Sequence, residues 1–336
     1  MAGRIICYGE LLVRLTAPRR ELLMQSPELA VHVGGAEANV AVGLSHLGHA
    51  TAMVSAVPDN ALGRGAVAAI RSHGVDSTAV ATRPGRMGLY FLSVGAGLRA
   101  SEIVYDRAGS AFAKTEPGGQ DWDRLLEGVA LLHLSGITPA LGPGPAAAAI
   151  EAARAARRLG VPVSFDGNYR AMLWDAWDSD PKTVLTELIG LADILFGNHR
   201  DISLVLGKDF SGEGADRRRE AADAAFAAFP MLGVIASTAR RIESGDCHHI
   251  SARVDRRDGA AQTPDQSVSG IIGRIGAGDA FAAGVLHEWL AGGDAQAMAA
   301  TGLALTALKH SLPGDASLFG VRDLEAFFDG GLDVRR

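Results

Sequence analysis

Cysteine is almost missing from this chain: Cys7 and Cys247 are the only two in 336 residues. Two thiols cannot build a disulfide scaffold, and such scarcity suits a reducing compartment, so a cytoplasmic location is expected. Aromatic residues make up only 6%. Positive charge is not in excess: 32 Lys and Arg stand against 38 Asp and Glu, a formal net charge of −6, and nothing recommends a nucleic acid partner. No apolar run approaches ~18 residues without a charge, so no membrane span is expected. The opening stretch "RIICYGELLVRL" lacks the basic flank, apolar core and cleavage site of a secretory leader, and none is expected. Two nucleotide signatures are missing as well. No G-x-x-x-x-G-K-[ST] occurs, which excludes a P-loop, and no G-x-G-x-x-G follows the first strand, which weakens a dinucleotide fold.

Glycine is what the chain has in plenty, 42 in all, nearly twice its usual share of roughly 7%. Tight turns and backbone-lined ligand surfaces are the expected use. The apolar pattern gives a strand over 4–15, broken at Gly9-Glu10, and a second over 28–33. A helix follows over 36–47, with Val40, Leu44 and Leu47 on one face and Gly48 closing it. Strand 51–57 and helix 61–73 come next. Two β-rich runs, 86–94 and 101–107, then interrupt the rhythm. With 10–15 and 28–33 they suit a small antiparallel sheet set apart from the main body. Beyond them, strands at 131–136, 161–168, 193–198 and 232–238 alternate with helices at 144–159, 179–191 and 216–229. Helices at 279–291, 294–309 and 321–328 end the chain. Strands spaced by helices of this length predict an α/β fold: a mostly parallel sheet covered on both faces. The polar stretch 208–220 reads as a mobile loop.

The stretch "IIGRIGAGDAFAAGVLHEW" (271–289) carries the chemistry. Backbone N–H groups at a helix start are unpaired, and the helix dipole adds positive potential there. Glycines bring that backbone close to an anionic oxygen. A carboxylate beside such a cradle, Asp279, can take a proton from a hydroxyl whose oxygen attacks phosphorus. As a plain turn, the same four residues would leave Asp279 as a helix-start residue only. A second glycine turn, "VGGAEANVAVGLSHLG" (33–48), places Gly34 and Gly35 before a helix carrying Asn39. Asn39 serves either the helix start or the hydroxyls of a polyol ligand.

The 33–48 and 273–284 segments, in this order and separation, resemble the two signature regions of the ribokinase-like (PfkB) carbohydrate kinases. Within that family, "GRMGLYFLSVGAGLRASEIVYDRAGSAF" (85–112), "FDGNYRAMLW" (165–174) and "LKHSLPGD" (308–315) resemble 2-dehydro-3-deoxygluconate kinases. The resemblance spans nearly the whole chain. It implies a ribokinase-like three-layer sandwich, one kinase domain over 1–336 with a small β lid, and phosphoryl transfer from ATP to the terminal hydroxyl of 2-keto-3-deoxygluconate. It makes Asp279 the general base and Gly276, Ala277 and Gly278 the anion hole. It places Tyr90, Tyr105, Arg107 and Arg170 around the sugar acid, where guanidinium forks suit a carboxylate, with Gly34, Gly35 and Asn39 at its hydroxyls. Asp166 falls near phosphates and substrate. For the nucleotide it implies Asn198, Thr238 and Arg240, and Lys309, His310 and Ser311 near adenine. Magnesium is implied by the chemistry of ATP, with Asp201 acting through water. A homodimer through the lid is also implied.

Two departures qualify the match. Asn198-His199-Arg200-Asp201 puts Asp where the wider family has Glu, one methylene longer. Gly273 stands where relatives usually carry an Asp that shapes a monovalent-cation loop, so potassium activation is not expected. Kinases for 2-keto-3-deoxygalactonate or fructose, and a non-catalytic sugar-acid-binding protein, are the rival readings. Cys247-His248-His249 is too close along the chain to converge on one zinc ion.

Overall fold

A computed structural model describes residues 3–330. Its strands are β1 (Arg4–Tyr8), β2 (Leu12–Thr16), β3 (Ala30–Gly34), β4 (Thr51–Val57), β5 (Val80–Thr82), β6 (Leu89–Ser93) and β7 (Glu102–Asp106). They continue as β8 (Val129–Ser135), β9 (Val163–Asp166), β10 (Ile194–Phe196), β11 (Val234–Ser244), β12 (Cys247–Arg256), β13 (Gly259–Gln262) and β14 (Gln266–Ser269). Ten strands form the central sheet in the order β13-β12-β11-β10-β9-β8-β1-β4-β5, with β14 paired to β12. Pairs from β11 to β5 are parallel, and those around β12 are antiparallel.

Strand alternation divides the interior. Ile5 and Cys7 of β1 join one core, with helices Ala36–His46, Ala277–Leu290 and Ala295–Lys309. Ile6 and Tyr8 join the other, with helices Pro143–Arg158, Pro181–Gly190 and Gly214–Ala228. A fully buried sheet needs cover on both faces, and this gives the three-layer sandwich. Among the described residues no helix is long and apolar enough to cross a membrane.

The second sheet has the order β3-β2-β6-β7 and lies over the carboxyl edge of the first. It uses the segments expected of it, with one correction: β2 and β6 run parallel, because the long excursion between them returns to the same end. The break at Gly9-Glu10 is where the chain leaves the central sheet for the lid. Two further corrections concern the second half. Helix Gly214–Ala228 takes up much of the polar stretch read as a loop, burying Ala221, Ala222, Ala225 and Phe226. The strand at 232–238 runs on to Ser244 and turns back through β12 to β14.

Candidate active site

Helix Ala277–Leu290 starts at Gly276, whose φ of 78° belongs to the left-handed region that favours glycine. The Gly276 carbonyl accepts from Ala280 N, so the helix ladder begins there. The N–H groups of Gly278 and Asp279 have no acceptor among the described residues, and they stand at the positive end of the dipole. A cavity of about 320 Å³ opens over them, between this helix start and the lid.

Asp279 stands on the cavity floor. Asn39 Nδ2 donates to its Oδ2 at 2.6 Å, a third arrangement in which the amide holds the carboxylate. Desolvation pushes Asp279 up to about 7, against the Asn39 hydrogen bond, and Asp315 adds to the rise. Asp166, at the end of β9, is pushed up to about 8 by desolvation and then by Asp279. Arg170 opposes both rises. A carboxylate balanced near neutrality is suited to taking a proton.

The lid turns Tyr90 and Tyr105 inward, paired across β6 and β7 with ring centroids 6.2 Å apart. Arg107 follows β7, buried against Glu10 through Nε–Oε2 at 2.6 Å, while its terminal nitrogens have no partner among the described residues. Arg170 reaches the same cavity from the other side, and among the described residues it bonds only to the Tyr169 carbonyl. The cavity thus gathers Gly35, Asn39, Tyr90, Tyr105, Arg107 and Asp166 with Arg170, Arg240, Gly276, Ala277, Gly278 and Asp279. Gly34 sits just outside, where a Cβ would come within 2.4 Å of Asp315 Oδ2.

A neighbouring cavity of about 330 Å³ holds Asn198, Thr238 and Arg240. Asn198 and Asp201 form a reciprocal capping box at helix His199–Leu206, with Asn198 N donating to Asp201 Oδ2 at 2.8 Å. Asp201 and Asp166 also share the wall of a third cavity of about 570 Å³ beside Gly278. Lys309, His310 and Ser311 line none of these cavities. Lys309 is fully buried, with Nζ donating to the Leu312 carbonyl at 3.2 Å, and burial lowers it to about 8. His310 Nδ1 faces the Thr306 carbonyl at 2.7 Å, and Ser311 Oγ donates to that of Leu308. A larger depression of about 770 Å³ lies along helix Pro143–Arg158 and contains no residue of the glycine turns.

Sequence reasoning left Glu10, Glu37, Arg14 and Asp315 without a role, and passed over Arg274 in the cavity wall. Asp315 is buried and accepts from Arg14 Nε and Tyr90 Oη, both at 2.7 Å. Glu37 is buried and pushed up to about 7 by desolvation, with Thr138 Oγ1 donating to it. A charged residue inside an apolar run was the available signal for Glu10. Cys247 and His249 share one face of β12, and Glu243 joins them with ligand atoms within 4.8 Å, while His248 points the other way and is buried, so the three adjacent residues do not converge. None of the three lines the cavities around Asp279.

A lidded α/β sandwich with a glycine cradle and a near-neutral carboxylate defines a small-molecule phosphotransferase cleft. Residues 2–236 match the pfkB family carbohydrate kinases, and the chain belongs to that family of ATP-dependent kinases of sugars and sugar acids. It is 30% identical over 331 residues to a 2-dehydro-3-deoxygalactonokinase from Haloferax volcanii, covering 98% of each chain. A 2-dehydro-3-deoxygluconokinase structure from Thermotoga maritima superposes with a TM-score of 0.92 at 32% identity, covering 98% of this chain and 100% of that one. A PfkB family carbohydrate kinase from Listeria grayi gives a TM-score of 0.89 at 33% identity, covering 96% and 99%.

Proposed function

We propose that this chain transfers the γ-phosphoryl group of ATP to the terminal (C6) hydroxyl of 2-keto-3-deoxygluconate. The observation that carries the reading is the cavity over Asp279, where Arg107 and Arg170 bring guanidinium donors into a space shared with two tyrosines. A planar fork of donors matches a carboxylate better than a neutral ketose hydroxyl. Asp279 takes the C6 hydroxyl proton as that oxygen bonds to phosphorus. The bond from phosphorus to the bridging oxygen breaks, and ADP leaves. The Gly276–Gly278 backbone steadies the charge on the transferring group. Asn198, Thr238 and Arg240 face the nucleotide. Tyr90, through Asp315, fixes the lid over the sugar acid and excludes water.

The donor set fits a divalent ion arriving with ATP: Asp166 is raised by both Asp279 and Asp201, carboxylates that a cation would relieve. Magnesium would neutralise phosphate charge there, with Asp201 reaching it through water. No potassium requirement is expected. A Cβ at Gly273 would lie 2.6 Å from the Leu312 carbonyl oxygen, which the Lys309 ammonium already engages.

The galacto epimer is the second reading, favoured by the name of the Haloferax volcanii relative. The test is ADP release with 2-keto-3-deoxygluconate, its galacto epimer, fructose, ribose and gluconate. Turnover confined to the 2-keto-3-deoxy acids is expected, and Asp279→Asn is expected to lose about 10²- to 10⁴-fold in kcat. In the free enzyme, kcat/KM should rise with pH through about 7, as Asp279 deprotonates. Fructose as the best substrate would overturn the arginine assignment, and sugar-acid binding without turnover would favour a binding protein.

A further inference from the structure

Two guanidinium groups on the wall of the Asp279 cavity have neither a hydrogen-bond nor an ion-pair partner among the described residues: Arg240 and Arg274. Of the acids nearby, Asp315 is paired with Arg14 and Glu10 with Arg107, while Asp279 accepts from Asn39 and Asp166 from Asn168 N. Arg240 lies on β11 and belongs to two cavities, the one with Asn198 and Thr238 and the one with Asp279. It therefore stands at the passage between them. Arg274 lies two residues before Gly276, and its carbonyl accepts from Ala277 N at the mouth of the anion hole. It also borders a cavity of about 110 Å³ beneath the lid, next to Arg14.

The two arginines bear on each other and on the buried ring of His248. Burial first, then Arg274, holds Arg240 below its ordinary value, and burial does the same to Arg274. His248 is pushed down to about 4 by burial and then by both arginines, so it adds no charge near pH 7. Two like charges on one cavity wall, neither with an ion-pair partner of its own among the described residues, are unfavourable until an anion arrives. The oxygens of a phosphoryl group supply that anion, and guanidinium forks match them in pairs.

We propose that Arg240 and Arg274 grip the phosphoryl group in transit, Arg240 from the nucleotide side and Arg274 from the acceptor side of the Gly276–Gly278 backbone. This rests on the kinase reading above. As the C6 oxygen bonds to phosphorus and the bridging bond to ADP breaks, charge spreads over the three remaining oxygens. The two forks meet that charge while the N–H groups of the helix start meet it from below. Arg240 follows the phosphate out of ATP, and Arg274 stays with the phosphate ester.

The experiment compares the full chain with Arg240→Met, Arg274→Met and Arg274→Lys. Each Met variant is expected to lose about 10²- to 10³-fold in kcat, with the sugar-acid KM changed less than about threefold. Arg274→Lys, which keeps the charge but not the fork, is expected to recover part of the loss. Calorimetry should show Arg274→Met binding the 6-phosphate product at least about tenfold more weakly, with affinity for the unphosphorylated acid retained. A general packing defect would weaken both alike, and that result overturns the proposal, as does unchanged kcat in the two Met variants. Should Arg274→Met lose its cooperative melting transition, Arg240→Met and Arg274→Lys decide. If the unaltered chain turns over no sugar acid, the kinase reading fails at this step. Inorganic tripolyphosphate then tests the arginines alone: binding that both Met variants weaken upholds them as a phosphate grip, and its absence in the unaltered chain overturns it.

Discussion

At Gly276 a Cβ would lie 1.5 Å from the Asp315 carbonyl oxygen, whereas at Gly278 it would meet nothing within 4 Å. The first glycine is demanded by the fold, whereas nothing in the fold demands the second. Gly276→Ala also forces a left-handed backbone on alanine, so a loss of about 1–3 kcal/mol or more is expected in urea unfolding. Gly278→Ala lies in the first turn of a helix, where alanine is the better helix former. Its melting temperature should stay level or rise while kcat falls, because the methyl group fills the space above the backbone donors. Asp166 offers a second test. Its folded value of about 8 lies above the usual 3.8, so the folded chain binds that proton more tightly. The stability this proton contributes is complete below pH ~4 and is lost as pH rises through about 8. Against Asp166→Asn, which cannot ionise, the unaltered chain should therefore lose melting temperature between pH 5 and 9, and a parallel pair of curves would sink the assignment.

Among the elements, the lid depends on a contact that joins its second strand to the far end of the chain. Arg14 and Asp315 are both buried and paired at 2.7 Å. Arg14→Met would leave the carboxylate, among the described residues, with Tyr90 Oη as its one hydrogen-bond partner, at a cost of about 3–5 kcal/mol in denaturant unfolding. Tyr90→Phe leaves the ion pair and should cost only about 1 kcal/mol. This contact also marks the limit of what the sequence reveals. The βα rhythm was legible because apolar runs of strand length alternate with helices of ordinary spacing. The same holds for the glycine turns, whose chemistry lies within a few consecutive residues. Asp315 was not legible as a partner of Arg14, because 301 positions separate them. Strand β12 was hidden for another reason: opposite Ile250, Ala252 and Val254, which join the core, it buries Arg253 and Asp255 as a pair at 2.7 Å, so one of its two faces looks polar in the sequence. Lys309 shows the converse. The resemblance implies a place for it near adenine, whereas here it is buried and donates to the Leu312 carbonyl.

For the whole molecule, the lid's outer face argues for a partner. Register places Val31, Leu15, Phe91 and Val104 in one row across β3, β2, β6 and β7, while Val33, Val13 and Leu89 of the next row join or pack against the core. Val31 is 61% exposed and Val104 46%, so an apolar stripe faces outward. We propose that two lids pack together in a homodimer. Light scattering at micromolar protein should give twice the 34.9 kDa chain mass. Val31→Asp with Val104→Lys should return it to one chain, and a strictly monomeric unaltered protein would end the proposal.

The lid's four strands come from three separated stretches of sequence, and the first of them continues β1 after only three residues. It therefore cannot be exchanged as a cassette. A graft meant to retune substrate choice would need two crossovers for each stretch, six in all, and one would fall beside the carboxylates of Glu10 and Glu37. Recombination between relatives will seldom preserve such a join. New specificity on this scaffold is more accessible through single substitutions on the lid's inner face than through shuffled modules.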